Sequence, residues 1–403
     1  MSSSILNIGD SVVFDDSIES IEYHSFHPFN DSYKNNDEIR IRINDQDIIV
    51  WPSESQLIIE GTTTKSSTFV NNGAAHLFQD IRYELNGVEI DRTKNCGVTT
   101  TMKGILSYGE EESKALENSC WNTSSSSGIK DIEGEFCFTI PLRHLLGFAE
   151  DYTKVIVNAK HELVLNRSST NSNCAIKTKD ATKGFEININ RIVWRMPIVK
   201  VSDKEKLRLL RYVESNAPIP ISFRSWDLYE YPLLPTSQKH VWTVKTSTQL
   251  EKPRFVILGF QHARNNDESK DKSLFDHSNF HNARLYLNSQ YYPYESFAND
   301  FEKGVYSLLY EAFCNFKRQY YGLKNANVQV NPAHFKTKAP LVVIDCSRQM
   351  DTIRSGVGGG IDIKLEMEFK KAIPSDTTAY CLIINDSLFE YTILTKSVRK
   401  ISS

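Results

Sequence analysis

Apolar and polar residues alternate with a period of two over short stretches along most of the chain. Ile39-Arg40-Ile41-Arg42-Ile43-Asn44 is the cleanest case, with isoleucines facing a core and arginines facing solvent, as in a half-buried strand. Asp47–Trp51 and Gln56–Gly61 continue the pattern on either side of Pro52. Leu77–Leu85 places Ile81, Tyr83 and Leu85 on one face, then reaches Asn86-Gly87 and Val88–Ile90. An Asn-Gly pair supplies the positive φ angles of a two-residue hairpin turn, so these segments are predicted to pair. Met102–Tyr108 is expected to be a short helical or turn segment.

Further strands are predicted at Glu135–Ile140, Lys154–Val157, His161–Leu165 and Phe185–Trp194, with a turn or short helix at Leu142–Gly147. Trp121–Gly128 and Asn166–Gly184 are polar and are expected to be surface loops. Ser202-Asp203-Lys204-Glu205 has the form of a capping box, and Leu207, Leu210 and Val213 recur at helical spacing up to Asn216-Ala217-Pro218. Strands then resume at Pro220–Trp226, His240–Val244 and Arg254–Gly259. The charged stretch Gln261–Phe280 is expected to be a long exposed loop, followed by a second hairpin at Ala283–Ser289. Phe301, Val305, Leu308, Leu309, Phe313 and Phe316 fall on one face of a predicted helix. Leu341–Ile344, Ile361–Phe369, Ala379–Ile384 and Leu388–Leu394 close the chain as strands.

Short strands separated by turn signals predict an all-β protein of antiparallel sandwich or jelly-roll type. The halves also echo each other. Leu57–Gly61 matches Phe255–Gly259 at a shift of 198, and Ile81–Gly87 matches Ala283–Ser289 at 202. Lys103–Ser107 matches Lys303–Ser307 at 200, and Glu162–Leu165 matches Lys364–Met367 at 202. Four matches in one order point to a tandem duplication. The expected division is an arm over residues 1–35, too poor in apolar residues to fold alone, a first jelly roll over 36–200, a linker helix over 201–217 and a second jelly roll over 218–403.

Composition narrows the function. The net charge of -3 is interspersed along 403 residues, which disfavours a wrapping nucleic-acid binder or a polybasic membrane anchor. The seven cysteines form no CxxC pair, and several sit in apolar runs such as Phe136-Cys137-Phe138, so a reducing compartment without disulfides is expected. No secretory leader and no run of about twenty apolar residues is visible. The acceptor triplets at Asn30, Asn122, Asn166 and Asn385 are therefore read as chance.

Candidate chemistry is sparse. His277 and His281 are spaced i, i+4, and His24 lies near His27, but neither pair has further ligands at metal-binding spacing. Val357-Gly358-Gly359-Gly360 lacks the ending of a phosphate-binding loop and precedes a strand. Phe316-Lys317-Arg318-Gln319-Tyr320-Tyr321 mixes basic and aromatic residues, yet cations closing a helix account for it. Catalytic, cofactor-binding and metal-ligating residues are all expected to be none, and the protein is expected not to be an enzyme.

Two β-rich halves, each with an Asn-containing hairpin leading to Lys-Gly-Ile/Val-x-Ser, resemble the double jelly-roll major capsid proteins of double-stranded DNA viruses. Trp51–Gly61 together with Leu77–Ile90 looks most like the capsid-type proteins of invertebrate viruses and of Maverick/Polinton-like or adintovirus-like elements. The resemblance covers roughly residues 36–400 and implies a structural protein. Three chains would form a homotrimeric, pseudo-hexagonal capsomer of six barrels, contacting neighbouring capsomers and a single jelly-roll vertex (penton) protein in an icosahedral virion. It would be assembled in the host cytoplasm or nucleus. Loops at Trp121–Gly128, Asn166–Gly184 and Gln261–Phe280 would face outward or meet neighbours, and the arm would clamp an adjacent subunit or the inner surface. The alternatives are a tandem lectin-like binding module, with Tyr291-Tyr292-Pro293-Tyr294 as its platform, or a duplicated cupin-like enzyme, which would need clustered histidines.

Overall fold

The computed structural model describes residues 17–401 except 31, 45–47, 65–66, 122–133, 178–183, 247–251, 289, 326 and 348–361. Ser11–Asp16, the serine-rich part of Trp121–Gly128, Ser289 and the glycine run at Val357–Gly360 lie outside the described residues.

The first half contains strands β1 (Ile18–Phe26), β2 (Glu38–Ile43), β3 (Ile49–Val50), β4 (Gln56–Thr63), β5 (Ser67–Phe69) and β6 (Phe78–Leu85). It continues with β7 (Val88–Lys94), β8 (Glu135–Pro141), β9 (Ile156–Val157), β10 (His161–Arg167), β11 (Ala175–Lys177) and β12 (Ile187–Val201). Helices α1 (Gly73–His76), α2 (Cys96–Ser107), α3 (Glu110–Ala115) and α4 (Gly147–Asp151) lie between these strands, and α5 (Asp203–Glu214) follows β12. The second half has β13 (Ile219–Tyr231), β14 (Lys239–Thr246), β15 (Lys252–His262), β16 (Phe280–Leu287) and β17 (Gln290–Tyr292). Helices α6 (Ser307–Tyr321) and α7 (Pro332–Lys338) precede β18 (Val342–Asp345), β19 (Asp362–Phe369), β20 (Thr377–Thr392) and β21 (Ser397–Lys400).

One topology is written twice. In the first half, β1-β12-β4-β8 form one sheet, with β3 on the far part of β12 and β9 beside β3, and β2-β10-β6-β7 form the other. In the second half the sheets are β13-β20-β15-β18 and β14-β19-β16-β17. Counted among eight main strands, both halves pair first-eighth-third-sixth and second-seventh-fourth-fifth, which is the jelly-roll arrangement.

Register carries the duplication further than topology. His161↔Leu85, Leu163↔Tyr83 and Leu165↔Ile81 become Ile363↔Leu287, Leu365↔Leu285 and Met367↔Ala283 under a single shift of 202. Because side chains alternate faces, a slip of one residue would expose the buried set, so the hydrophobic pattern fixes this register. Ile39, Ile41 and Ile43 are fully buried, while Arg40 and Arg42 reach across the outer face to Glu162 at 2.9 and 3.0 Å.

The hairpins at Asn86 and Asn288 occupy equivalent places. Asn86 (φ +51) and Gly87 (φ +80) make the turn between β6 and β7, and Asn288 (φ +54) opens the one between β16 and β17. In both, the asparagine makes a reciprocal pair of hydrogen bonds with the residue at or next to the start of the neighbouring strand. Asn86 N–H donates to Lys160 O and its Oδ1 accepts from Lys160 N–H, both at 2.8 Å. Asn288 does the same with Asp362 at 3.1 and 2.9 Å. The conserved feature of the echo is the asparagine's clamp on the neighbouring strand rather than the glycine.

Several expectations are corrected. Ile18–Phe26, expected within an arm, pairs with β12 from Val201 to Trp194 and serves as the first strand of its sheet. The two predicted strands Ala379–Ile384 and Leu388–Leu394 are one strand, β20, whose polar centre is buried: Asn385 Nδ2 donates to Asp227 at 2.9 Å. The helix predicted from Phe301 starts only at Ser307, after a turn with Gly304 at φ +73. Consequently Lys103–Ser107, the last turn of α2, has no structural counterpart in Lys303–Ser307, which is a turn leading into the first residue of α6. Gln261–Phe280 is not an exposed loop, since Lys272, Ser273 and Phe275 are buried within it. Ser202 sits at the N-cap of α5 without a side-chain cap bond.

Candidate functional site

The two halves share their cores. Helix α2 belongs to the first half by sequence, but Val98, Met102, Ile105 and Leu106 pack into the core built by β15, β18, β20 and α6. In return, Ile221 and Phe223 of β13 and Phe389 and Tyr391 of β20 pack into the first core. Tyr391 hydroxyl donates to the carbonyls of Val157 and Asn158 at 2.9 and 3.0 Å. Exchange of this kind ties the two barrels together along a shared seam.

At its centre is Lys103, 1% exposed, on a helix whose twelve residues are all buried. Its ammonium donates to Ser107 Oγ (2.8 Å), Glu150 Oε1 (2.9 Å) and Tyr321 hydroxyl (3.0 Å). It also lies over the rings of Tyr320 and Trp226, 4.2 and 4.9 Å from their centroids. Glu150, on α4, takes further bonds from Tyr321 hydroxyl and from Tyr320 hydroxyl at 2.7 Å. Burial would raise the Glu150 carboxyl, but Lys103 and the two hydroxyls outweigh it and hold the group below its ordinary value.

Beside this pair, Asp151 binds Arg224 of β13 through the backbone N–H (2.9 Å), Nε (2.7 Å) and Nη2 (2.6 Å). Arg224 stacks 3.5 Å over the Tyr320 ring and donates to the Tyr320 carbonyl. Lys317 of α6 closes the far side on Glu112 at 2.7 Å. Gly147 allows α4 to approach β13, because a Cβ there would overlap the Arg224 carbonyl oxygen. Two carboxylates and a lysine from the first half thus interlock with an arginine and two tyrosines from the second. The charged groups pair with one another across the two halves, so the arrangement is a lock, and Ser107, Glu150, Lys317 and Tyr321 also line an open pocket beside it.

The residues singled out in the sequence fall elsewhere. His277 and His281 do not share a helix face: His277 stacks on Phe301 and accepts from Asn279 N–H, and His281 bonds to Asn299 O at 2.9 Å. His24 lies 3.7 Å from Glu22 on exposed β1. Among the described residues, no group of three or more metal-ligating side chains converges. Phe316, Lys317 and Tyr320 of the basic-aromatic run are buried in the seam. Tyr291 and Tyr294 stack on each other at 6.2 Å with Tyr294 89% exposed. No helix among the described residues is long and apolar enough to cross a membrane. Sequence reasoning saw Lys103 only as part of an echo; the available signal was a lone charge in the otherwise uncharged run Cys96–Ser107.

The family described as the double jelly roll-like domain matches residues 67–389. No curated protein matches the chain. Among solved structures, the capsid of the virus PBCV-1 superimposes with a TM-score of 0.65 at 11% identity, covering 98% of this chain and 99% of that one. The Sputnik virophage structure gives 0.62 at 10% identity, covering 98% and 91%. The mavirus major capsid protein gives 0.60 at 11% identity, covering 100% and 93%.

Proposed function

The chain belongs to the double jelly roll-like domain family, and from that premise we propose that it is a structural major capsid protein of a double-stranded DNA virus or virus-derived element. One observation carries the reading: the two-barrel fold superimposes over nearly the full length of both chains on the PBCV-1 capsid and the mavirus major capsid protein. The role is architectural, not enzymatic. Three chains associate as a homotrimer whose six barrels give a pseudo-hexagonal block, and a locked seam suits this, because the two barrels must keep one mutual angle in every copy. The blocks tile with one another and with a single jelly-roll vertex protein in the virion, after assembly in the host cytoplasm or nucleus.

Within this reading, residues 36–200 and 218–403 act as the two barrels with 201–217 as linker, and Ile18–Phe26 is added to the first barrel. Apolar residues left exposed on β1 and α5, among them Ile18, Ile21, Leu207 and Leu210, are assigned to contacts between copies. Native mass measurement of the purified chain tests the proposal. Trimers, forming hexagonal arrays or shells as concentration rises, are expected; a monomer at every concentration overturns it.

A further inference from the structure

The seam joins unlike sides of the two barrels. The first barrel offers β7 and α4, and the second inserts the start of β13 against them. Ile221 and Phe223 of β13 are 0% and 3% exposed because they enter the first core, where Phe148 of α4 meets Phe223 edge-on at 5.7 Å. The β6–β7 hairpin also reaches the second barrel, through Asn86 Nδ2 donating to Lys396 O at 3.0 Å.

The duplication places these features a second time, and there they stand uncovered. β1 is the counterpart of β13. Ile21 pairs with Val199 and Phe26 with Trp194, as Ile221 pairs with Phe389 and Trp226 with Ile384. Ile21, Tyr23 and Phe26 therefore fall on Ile221, Phe223 and Trp226 at one shift of 200. Yet Ile21 and Tyr23 are 42% and 40% exposed, with Arg195 lying over the Tyr23 ring at 4.4 Å. β17 is the counterpart of β7. Among the described residues it pairs with β16 alone, as β1 pairs with β12 alone, and Tyr291 and Tyr294 are exposed along that edge. Open edge strands bearing apolar side chains are sites of association. Here the two open edges are unlike, which gives a head-to-tail contact rather than a two-fold one.

We infer that β1 of one copy docks on the β17 edge of the next, repeating between chains the contact that β13 makes on β7 within a chain. The partner is a second copy because the seam already shows these two kinds of side fitting together. The inference rests on the reading that copies of the chain associate, and it names the surfaces by which they do so.

Native mass measurement of three proteins tests it: the unaltered chain, the pair Ile21→Glu and Tyr23→Glu, and the pair Tyr291→Glu and Tyr294→Glu. Unchanged melting temperatures show that the variants fold. Each variant alone should be monomeric, its self-association weakened by about tenfold or more, since a carboxylate buried in an apolar contact is costly. An equimolar mixture should form a 1:1 dimer that grows no further, because one intact β1 meets one intact β17 and both remaining edges are spoiled. Where the unaltered chain assembles, a variant that assembles equally well overturns the inference, since another occupant, residues 1–16 of its own chain included, then covers β1. A mixture that stays monomeric overturns it too. An unaltered chain that is monomeric at every concentration instead overturns the reading on which the inference rests. Should a glutamate variant fail to fold, Ile21→Cys and Tyr294→Cys chains are mixed and oxidised. Crosslinked dimers in the mixture and in neither chain alone support the contact, and any other result overturns it.

Discussion

Replacing Lys103 by methionine keeps most of the side-chain volume while removing the charge that Glu150 faces. Glu150 would keep two tyrosine hydroxyl bonds but lose its one direct cationic partner among the described residues, 2.9 Å away. Breaking a buried pair on one side costs about 3–5 kcal/mol, because the remaining charge is stranded in a poorly solvating interior. For 403 residues unfolding as one unit, the entropy at the midpoint is about 0.8 kcal/mol per kelvin, so Tm should fall by about 4–6 °C. Stranding also raises the Glu150 carboxyl above its unfolded value. The deficit is then full at neutral pH and shrinks as pH falls toward the ordinary carboxylate range, where the group becomes neutral in both states. Thermal unfolding of Lys103→Met, Glu150→Leu and the double variant at pH 7.5 and 5 provides the assay. The double variant should recover much of the loss, since an apolar pair can replace a buried ion pair with little penalty. A Lys103→Met protein within about 0.5 kcal/mol of the parent, the scatter typical of surface changes, would refute the idea that this pair carries the seam.

Three further outcomes follow from the same geometry. Asp91 is buried and accepts from Phe148 N–H at 2.8 Å and Arg92 N–H at 2.9 Å; burial pushes its carboxyl up to about 7 despite both bonds. The native state therefore holds a proton that the unfolded chain releases, so stability should fall as pH rises from about 4 to 7, by up to roughly 1.4 kcal/mol per pH unit. Asp91→Asn should remove that slope in chemical denaturation. Gly147→Ala, ordinarily favourable in a helix, should destabilise by about 2 kcal/mol or more through its overlap with the Arg224 carbonyl, measured by urea unfolding. Residues 1–217 and 218–403 expressed separately should each fail to give a cooperative transition, and co-expression should restore it, because each core contains residues of the other half.

Strand content was largely legible because the buried sheets alternate strictly, as Ile39, Ile41, Ile43 and Ile363, Leu365, Met367 illustrate. The repeat was legible wherever packing preserved register, and it misled at Lys103–Ser107, where similar letters serve a helix in one half and a turn in the other. β1 was missed because an exposed edge strand needs little alternation; Ile18, Ile21 and Tyr23 remain exposed. α2 was only half seen, since a helix buried on all sides has no polar face, and Thr99–Thr101 bury without amphipathic spacing. The seam could not be read at all. Lys103, Glu150, Arg224 and Tyr321 are brought together only by the tertiary fold, and nothing local marks them as partners.

The central claim is that this duplicated barrel is a shell-building block. Cryo-electron microscopy of the purified chain tests it most directly. The account predicts a threefold particle, three times the 46.1 kDa chain, whose outline shows six nearly equivalent barrels, with the Lys103 seam between the two barrels of each chain. A population consisting of single two-barrel molecules, unchanged as concentration is raised, would contradict it.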